Sequence, residues 1–348
     1  MRDVVLDNFK FILISLVIVG HVIEPVIGRF DWAKSVYIFI YIFHMPMFAY
    51  VSGVVSSREI NNAVVKNIVS KLIIPYVLLE LTYSMFDYFL FSRNSLNVTP
   101  LVPYWILWYL FSLVLWRLLL PIFNQFRFPV VLAILAGLAC GVNEYNYNLS
   151  FSRTFVFFPF FLIGNYYHST IIRTLRSYDK SKLIGSVVLL GIFLLILAVP
   201  ESNDIKLGWL YGSRSYSSLG VDWVMGFFYR SSIYAAAILL GIALLSVTKN
   251  NRSIGTKYGE DSLYIYVLHG FVMKGLIAVG FYKYFDEDYE IVILMAASLV
   301  LLPILSSRFS KIIGKHMMNP LGGLSNGGFA NLVLANKTMQ SDARSSRR

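Results

Sequence analysis

The sequence predicts an all-α polytopic membrane protein with about ten transmembrane helices. Of its 348 residues, 57% are hydrophobic and only 14% are charged, which is not the composition of a soluble domain. The apolar residues come in runs, mostly of about 18–24, the length that crosses ~30 Å of hydrocarbon. These runs fall at roughly 11–28, 35–56, 69–91, 101–123, 128–142, 152–168, 183–199, 226–248, 263–280 and 290–306.

The positions of the basic residues predict the orientation of the chain. Ten spans place both termini on one side, together with the loops 57–68, 124–127, 169–182 and 249–262, and these segments hold most of the 30 Lys and Arg. An excess of Lys and Arg marks cytoplasmic loops, so both termini are predicted to be cytoplasmic. Because the net charge of +11 is distributed in this way, it does not indicate a nucleic-acid partner.

The chain divides into one transmembrane domain, residues 1–307, and a tail, residues 308–348. The tail begins basic, continues rich in Gly, Asn and Ser, and lacks a packing pattern, so it is predicted to be a flexible cytoplasmic segment. The sequence contains neither the His, Cys and carboxylate spacing of a metal site nor the glycine-rich turns that bind nucleotides. We therefore predict no metal and no bound cofactor.

The first span carries three side chains whose burial in a membrane has a high free-energy cost. Lys10 and His21 are eleven residues apart, which is three helical turns plus about 20°, and Glu24 follows three residues later. All three therefore share one face, and such residues inside a membrane indicate a functional site. His21 is the candidate general base, Glu24 its orienting carboxylate, and Lys10 a group that binds a phosphate or an acyl carbonyl. The structural alternatives are an interhelical hydrogen bond for His21 and a snorkelling side chain for Lys10.

Five further residues are candidates for substrate or donor binding. His44 precedes Pro46, so it is either a second proton carrier or a partner for a carbonyl that the proline frees. His269 is either an acid–base residue or a structural histidine, and Tyr41 is a candidate hydrogen-bond donor to an oxyanion. Lys71, with Lys66, lies at the entrance of the third span, where a phosphorylated donor would need cations.

Several sequence motifs together resemble those of the acyltransferase type 3 family of integral-membrane O-acyltransferases, and in detail those of its sugar O-acetylase branch. They are the Asp-Asn-aromatic-basic opening with Lys10 and His21, and the segments 43–53, 107–117, 157–164 and 259–269. The resemblance implies acyl transfer, usually from acetyl-CoA, to a carbohydrate or glycolipid hydroxyl at a plasma (inner) membrane. It places the family's basic residue at Lys10 and its essential histidine at His21. The family often has an Arg-x-x-Arg pair where this chain has Lys66 and Lys71, so donor binding there departs from the pattern.

The expected mechanism is therefore attack of a sugar hydroxyl on the thioester of acyl-CoA, with His21 accepting the proton. Lys10, or a donor such as Tyr41, would stabilise the oxyanion. The alternative is a proton-coupled transporter without covalent chemistry, because buried His, Glu and Lys also serve such proteins.

Overall fold

The computed structural model describes residues 3–96, 98–142, 150–199 and 204–318. Within these ranges the chain is helical and contains no β-strand. The all-α fold class is confirmed.

The N-terminal half carries the candidate residues of the first two spans. Short 3₁₀ turns follow α1 at Glu24–Val26, precede α5 at Trp105–Leu107 and follow α6 at Cys140–Val142. A π-helical turn, Val69–Ile73, joins α3 to α4. The helices are α1 (Val4–Ile23), α2 (Asp31–Val54), α3 (Asn62–Ile68), α4 (Ile74–Leu90), α5 (Trp108–Phe123), α6 (Pro129–Ala139) and α7 (Phe151–Ser177).

The C-terminal half adds two long helices and several short ones. Further 3₁₀ turns lie at Ser217–Leu219 and Phe281–Tyr284. The helices are α8 (Ser181–Ala198), α9 (Gly208–Tyr211), α10 (Trp223–Val247), α11 (Thr256–Glu260), α12 (Ser262–Ala278), α13 (Asp288–Ser298), α14 (Leu301–Leu305) and α15 (Arg308–Met318).

Seven helical segments in the described ranges are long and apolar enough to cross a membrane, against the ten predicted. The other three predicted spans are shorter or interrupted helices. The fifth and ninth become Pro129–Val142 and Ser262–Ala278. The third is divided by the π-helical turn, and α4 has 17 residues. A multi-pass membrane protein is confirmed, whereas the cytoplasmic position of the termini stays a prediction.

The first helix begins earlier than its apolar run. The Asp3 side chain accepts hydrogen bonds from the amides of Val5 and Leu6, so α1 starts at Val4 rather than near residue 11. The polar residues that precede the apolar run are therefore helical, and His21 lies in the last turn of α1 rather than midway along a span. Pro25 stands at the start of the following 3₁₀ turn, where a proline is tolerated but cannot continue the α-helix.

Glycines allow α2 and α7 to pack with their backbones in contact. A Cβ on Gly53 would meet the carbonyl oxygen of Phe161, and a Cβ on Gly164 would meet that of Tyr50. Close approach at small residues is a principal source of attraction between membrane helices. Because α2 also packs against α1, α8 and α10, this crossing fixes the helix that carries Tyr41 and His44.

Part of the predicted tail is helical. Residues Arg308–Met318 form α15, which packs against α12 and α4 and buries Met318 in the core. Residues 319–348 lie outside the described residues. The division of the chain at residue 307, with a flexible tail beyond it, stays a prediction.

The helix crossing predicts opposite effects for two glycine substitutions. Gly164→Ala should lower the unfolding free energy by about 1–3 kcal/mol, because the new methyl group meets the Tyr50 backbone, which cannot rotate away. Gly191→Ala on α8 is the matched control. Nothing lies within 4 Å of its Cβ, so it should stabilise by about 0.5–1 kcal/mol. Thermal unfolding of the two purified variants in one detergent measures both changes in stability. Equal shifts in the unfolding temperature would contradict the close crossing of α2 and α7.

Candidate active site

His21 lies in the interior of the helix bundle, not against lipid. Its Nδ1 is 2.9 Å from Oε2 of Glu24, and only 14% of its side chain is exposed. The two residues meet because they are three apart at the point where α1 ends. The rings of Trp105 and His269 lie with their centroids 5.1 and 5.3 Å from the imidazole. The expected face of α1 is thus closed over by α12 and by the turn before α5.

Tyr41 approaches the same edge of the imidazole as Glu24. Its hydroxyl is 3.4 Å from His21 Nδ1, at the outer limit of a hydrogen bond. Gly20 makes this approach possible, because a Cβ there would lie 3.0 Å from the Tyr41 ring. Tyr41 also stacks on Tyr37 at 3.8 Å, and the Tyr37 hydroxyl is 2.8 Å from that of Tyr211. A line of phenols therefore connects His21 to the short helix α9.

The other two candidate histidines are fully enclosed and bonded to their own helices. His44 Nδ1 lies 2.9 Å from the carbonyl oxygen of Ile40. This is one turn earlier and is not the Ile42 carbonyl that Pro46 leaves without a donor. His269 Nδ1 lies 2.7 Å from the Tyr266 carbonyl oxygen, and its Nε2 is buried without a hydrogen-bond partner among the described residues. Since a carbonyl accepts, Nδ1 carries the proton in both rings and Nε2 is left as an acceptor.

Lys10 is held by an ion pair at a distance from His21. Its Nζ lies 2.6 Å from Oδ1 of Asp7, whose side chain is almost fully buried. Eleven residues of helix separate Lys10 from His21, which is about 16 Å along the axis. The two groups share a face of α1 but cannot touch the same carbonyl carbon.

Lys66 and Lys71 are both exposed on the interrupted segment between α2 and α4. The buried residues of this segment are Ile68 and Leu72, and it packs against α4 and α5. The structure therefore places these two lysines on a different element from the Lys10 and His21 face.

Trp105 is a site residue that sequence reasoning missed. It has a left-handed backbone with φ of 32°, which is costly for a bulky side chain and occurs where surrounding structure enforces it. The preceding amide, that of Tyr104, donates to the buried carboxylate of Glu80 at 2.9 Å. This bond contributes to the turn that places the indole against His21, and no sequence signal marks the backbone angle.

A second polar cluster supports Trp105 from the other side. Asp87 accepts hydrogen bonds from Lys274 Nζ at 3.2 Å and from the Tyr104 hydroxyl at 2.8 Å. Lys274 Nζ also lies 5.4 Å from the Trp105 ring centroid. The cation and the carboxylate are both largely buried, so each compensates the cost of burying the other.

Tyr282 closes the site beside Glu24, in the 3₁₀ turn after α12. Its hydroxyl is buried and has no hydrogen-bond partner among the described residues. Burial and the nearby Glu24 carboxylate raise the pKa of Tyr282 to about 12, so the phenol is protonated at neutral pH and available as a donor. Among the described residues, no three His, Cys, Asp or Glu side chains converge as a metal site would require.

A family model described as an acyltransferase domain matches residues 3–308. The chain belongs to the acyltransferase type 3 family. It is therefore a membrane-bound O-acyltransferase, as the resemblance implies, and the transporter hypothesis loses its support. Members of the family use an acyl donor.

Two curated relatives, both named Nodulation protein NolL, match over most of the chain. The one from Sinorhizobium fredii is 24% identical over 328 residues, covering 85% of this chain and 84% of its own. The one from Mesorhizobium japonicum is 25% identical over 307 residues, covering 80% and 79%. No solved structure matches.

The Asp87 cluster predicts coupled losses of stability. Asp87→Asn should lower the unfolding free energy by about 1–3 kcal/mol, because it leaves a largely buried ammonium without its carboxylate. Lys274→Met should cost less, because Asp87 keeps its contacts with Arg93 and Tyr104. The double variant should lose less than the sum, since the Lys274–Asp87 interaction can be lost only once. Chemical unfolding of the four proteins in detergent gives this cycle. Additive losses would show that the pair is not coupled.

Proposed function

We propose that the protein transfers an acetyl group from cytoplasmic acetyl-CoA to a hydroxyl of a carbohydrate or glycolipid. In this proposal the membrane is the plasma (inner) membrane and the N-terminus of α1 is cytoplasmic. The observation that supports it most is the pairing of an interior imidazole, His21, with the Glu24 carboxylate at 2.9 Å in a chain of this family. An oriented imidazole of this kind suits proton abstraction from a hydroxyl.

The proposed reaction uses the two nitrogens of His21 differently. Nδ1–H donates to Glu24, which leaves the Nε2 lone pair as the base. As the acceptor oxygen bonds to the thioester carbon, Nε2 takes the hydroxyl proton and Glu24 stabilises the resulting imidazolium. The carbon–sulfur bond then breaks, and the proton passes to the leaving thiolate to give free coenzyme A.

His269 is proposed to orient the acceptor. Its Nε2 is an enclosed acceptor without a partner among the described residues, and its ring lies 5.3 Å from that of His21. A hydroxyl between the two rings would donate to one of them and stay close to the other. His44, with its ring 4.5 Å from that of Tyr41, packs behind that phenol and has a supporting role.

Tyr41 and Lys10 are assigned supporting roles away from the reacting atoms. The Tyr41 hydroxyl lies at the Nδ1 edge of His21, so it helps to orient the ring rather than to bind the oxyanion. Lys10 lies about 16 Å from His21 along the axis. It is therefore assigned to the donor's path along α1 rather than to the thioester carbonyl.

Aromatic rings around His21 favour a sugar as acceptor. Trp105, Tyr37, Tyr41 and Tyr211 combine flat apolar faces with polar tips. Such surfaces can contact the C–H faces of a sugar ring while hydrogen-bonding its hydroxyls. The acceptor would enter at the end of the bundle where α1 ends and α9 begins.

The role of His21 as base predicts loss of catalysis without loss of fold. His21→Ala should reduce acyl transfer about 10²–10⁴-fold, the usual contribution of a general base. His316→Ala is the matched control, because His316 is exposed and bonded only to its own helix. Release of thiol from acetyl-CoA by membranes supplied with cell-envelope glycolipids measures the rate. Mass spectrometry of those lipids detects the added acetyl group.

Near-normal transfer by the His21 variant would overturn the assignment of the base. Thiol release that does not depend on added glycolipid would overturn the carbohydrate acceptor. Absence of thiol release from wild-type membranes, with every acyl-CoA offered, would overturn the proposed function.

The role of Glu24 predicts a smaller and separable loss. Glu24→Gln keeps a hydrogen bond to Nδ1 but removes the charge that stabilises the imidazolium. It should lower kcat about tenfold or more while leaving KM for acetyl-CoA nearly unchanged. Glu24→Asp, which keeps the charge on a shorter side chain, should recover part of the rate. Equal rates for the Gln and Asp variants would show that the carboxylate charge plays no part.

A further inference from the structure

A basic cleft lies at the end of the bundle where α1 begins. It has a volume of about 420 Å³ and is formed between the N-terminus of α1 and the last three turns of α7. Its lining residues are Asp3, His168, Ser169, Ile172, Arg173 and Arg176. The cleft is separate from the His21 site and contains none of the residues to which the sequence assigned a role.

The two arginines provide the charge of the cleft. Arg173 and Arg176 are three residues apart on α7, so their guanidinium groups lie on one face. Both are exposed, and neither forms an ion pair or a hydrogen bond with a described residue. Two adjacent guanidinium groups present parallel donors that match the oxygens of a phosphate group.

The titratable groups of the cleft other than the arginines, Asp3 and His168, are already engaged. Oδ1 of Asp3 caps α1, and its Oδ2 lies 3.7 Å from His168 Nε2. His168 Nδ1 is 2.8 Å from the hydroxyl of Tyr50 on α2. These contacts fix two of the side chains that line the cleft, and the two arginines remain as its charged groups without an ion pair among the described residues.

We propose that this cleft binds the phosphate groups of the coenzyme A donor. The inference rests on the proposed function and adds the place where the donor binds. Lys66 and Lys71 suit this role less well, because they lie on the segment that packs against α4 and α5. A lysine is also a point charge without the fork of a guanidinium.

The position of the cleft along α1 supports this assignment. Asp3, Lys10 and His21 are separated by seven and eleven residues, so all three lie on one face of the helix. The rise of the helix places Lys10 about 10 Å and His21 about 27 Å from Asp3 along the axis. A donor held by its phosphates at the cleft would have its flexible pantetheine arm extend from this end of α1 in the direction of Lys10 and His21.

Equilibrium binding of radiolabelled acetyl-CoA tests the cleft without knowledge of the acceptor. The full chain is placed in nanodiscs of zwitterionic phosphatidylcholine. R173Q/R176Q should weaken binding roughly tenfold or more, because charge-assisted bonds to phosphate are lost. K180Q/K182Q, which removes two exposed charges from the segment that follows, should change the dissociation constant less than threefold. Raising the salt concentration should weaken the wild type more than R173Q/R176Q.

The possible results distinguish failure of the cleft assignment from failure of the proposed function. Tight binding of acetyl-CoA by both the wild type and R173Q/R176Q would overturn the assignment of the cleft as the phosphate site. It would leave the assignment of acetyl-CoA as donor intact. Failure of the wild type to bind acetyl-CoA would overturn both. Retention of phosphatidylglycerol by the wild type alone in native mass spectrometry, with unchanged acetyl-CoA binding, would identify a lipid headgroup site and overturn the proposal.

Discussion

The hydrogen bond between His21 and Glu24 is the contact on which the rest of the site depends. A polar ring enclosed by helices must be paired, because an unpaired polar group away from water is costly. The pairing exists because α1 ends at Ile23 and a proline follows Glu24 directly. The end of one helix thus supplies the imidazole, its partner and the break that brings them together.

The polar groups around His21 form hydrogen bonds that fix the positions of the neighbouring turn and rings. Glu80 and Asp87 on α4 bind the backbone and side chain of Tyr104, and this turn brings Trp105 against His21. His44 and His269 use Nδ1 to bond carbonyls of their own helices, which fixes the direction of each ring. Among the described residues, His269 Nε2 is one of the buried side-chain atoms without a hydrogen-bond partner, and its ring lies beside that of His21.

The parts of this arrangement that are local in sequence could be predicted, and the parts that depend on turns could not. Helical periodicity is enough to place Lys10, His21 and Glu24 on one face, and hydropathy is enough for the fold class. The π-helical turn at Val69–Ile73 was not predictable, because hydropathy and helical periodicity do not distinguish one π turn from a regular helix. Trp105 and Tyr211 reach the site through an unusual backbone angle and a loop helix, neither of which leaves a periodic signal.

The axial separation of the two ends of α1 bears on how the donor and acceptor can meet. In the proposed reaction the nucleotide end of coenzyme A stays at the end that carries Arg173 and Arg176, because phosphate groups cannot enter an apolar bundle without a large desolvation cost. Between Lys10 and His21 the chain is apolar apart from Ser15 and Gly20. That stretch suits the uncharged arm and thioester, and not the rest of the donor. The acceptor hydroxyl then needs access only to the opposite end, where Glu24, Tyr211 and Tyr282 lie. In this proposal the two substrates therefore approach His21 from opposite ends of α1.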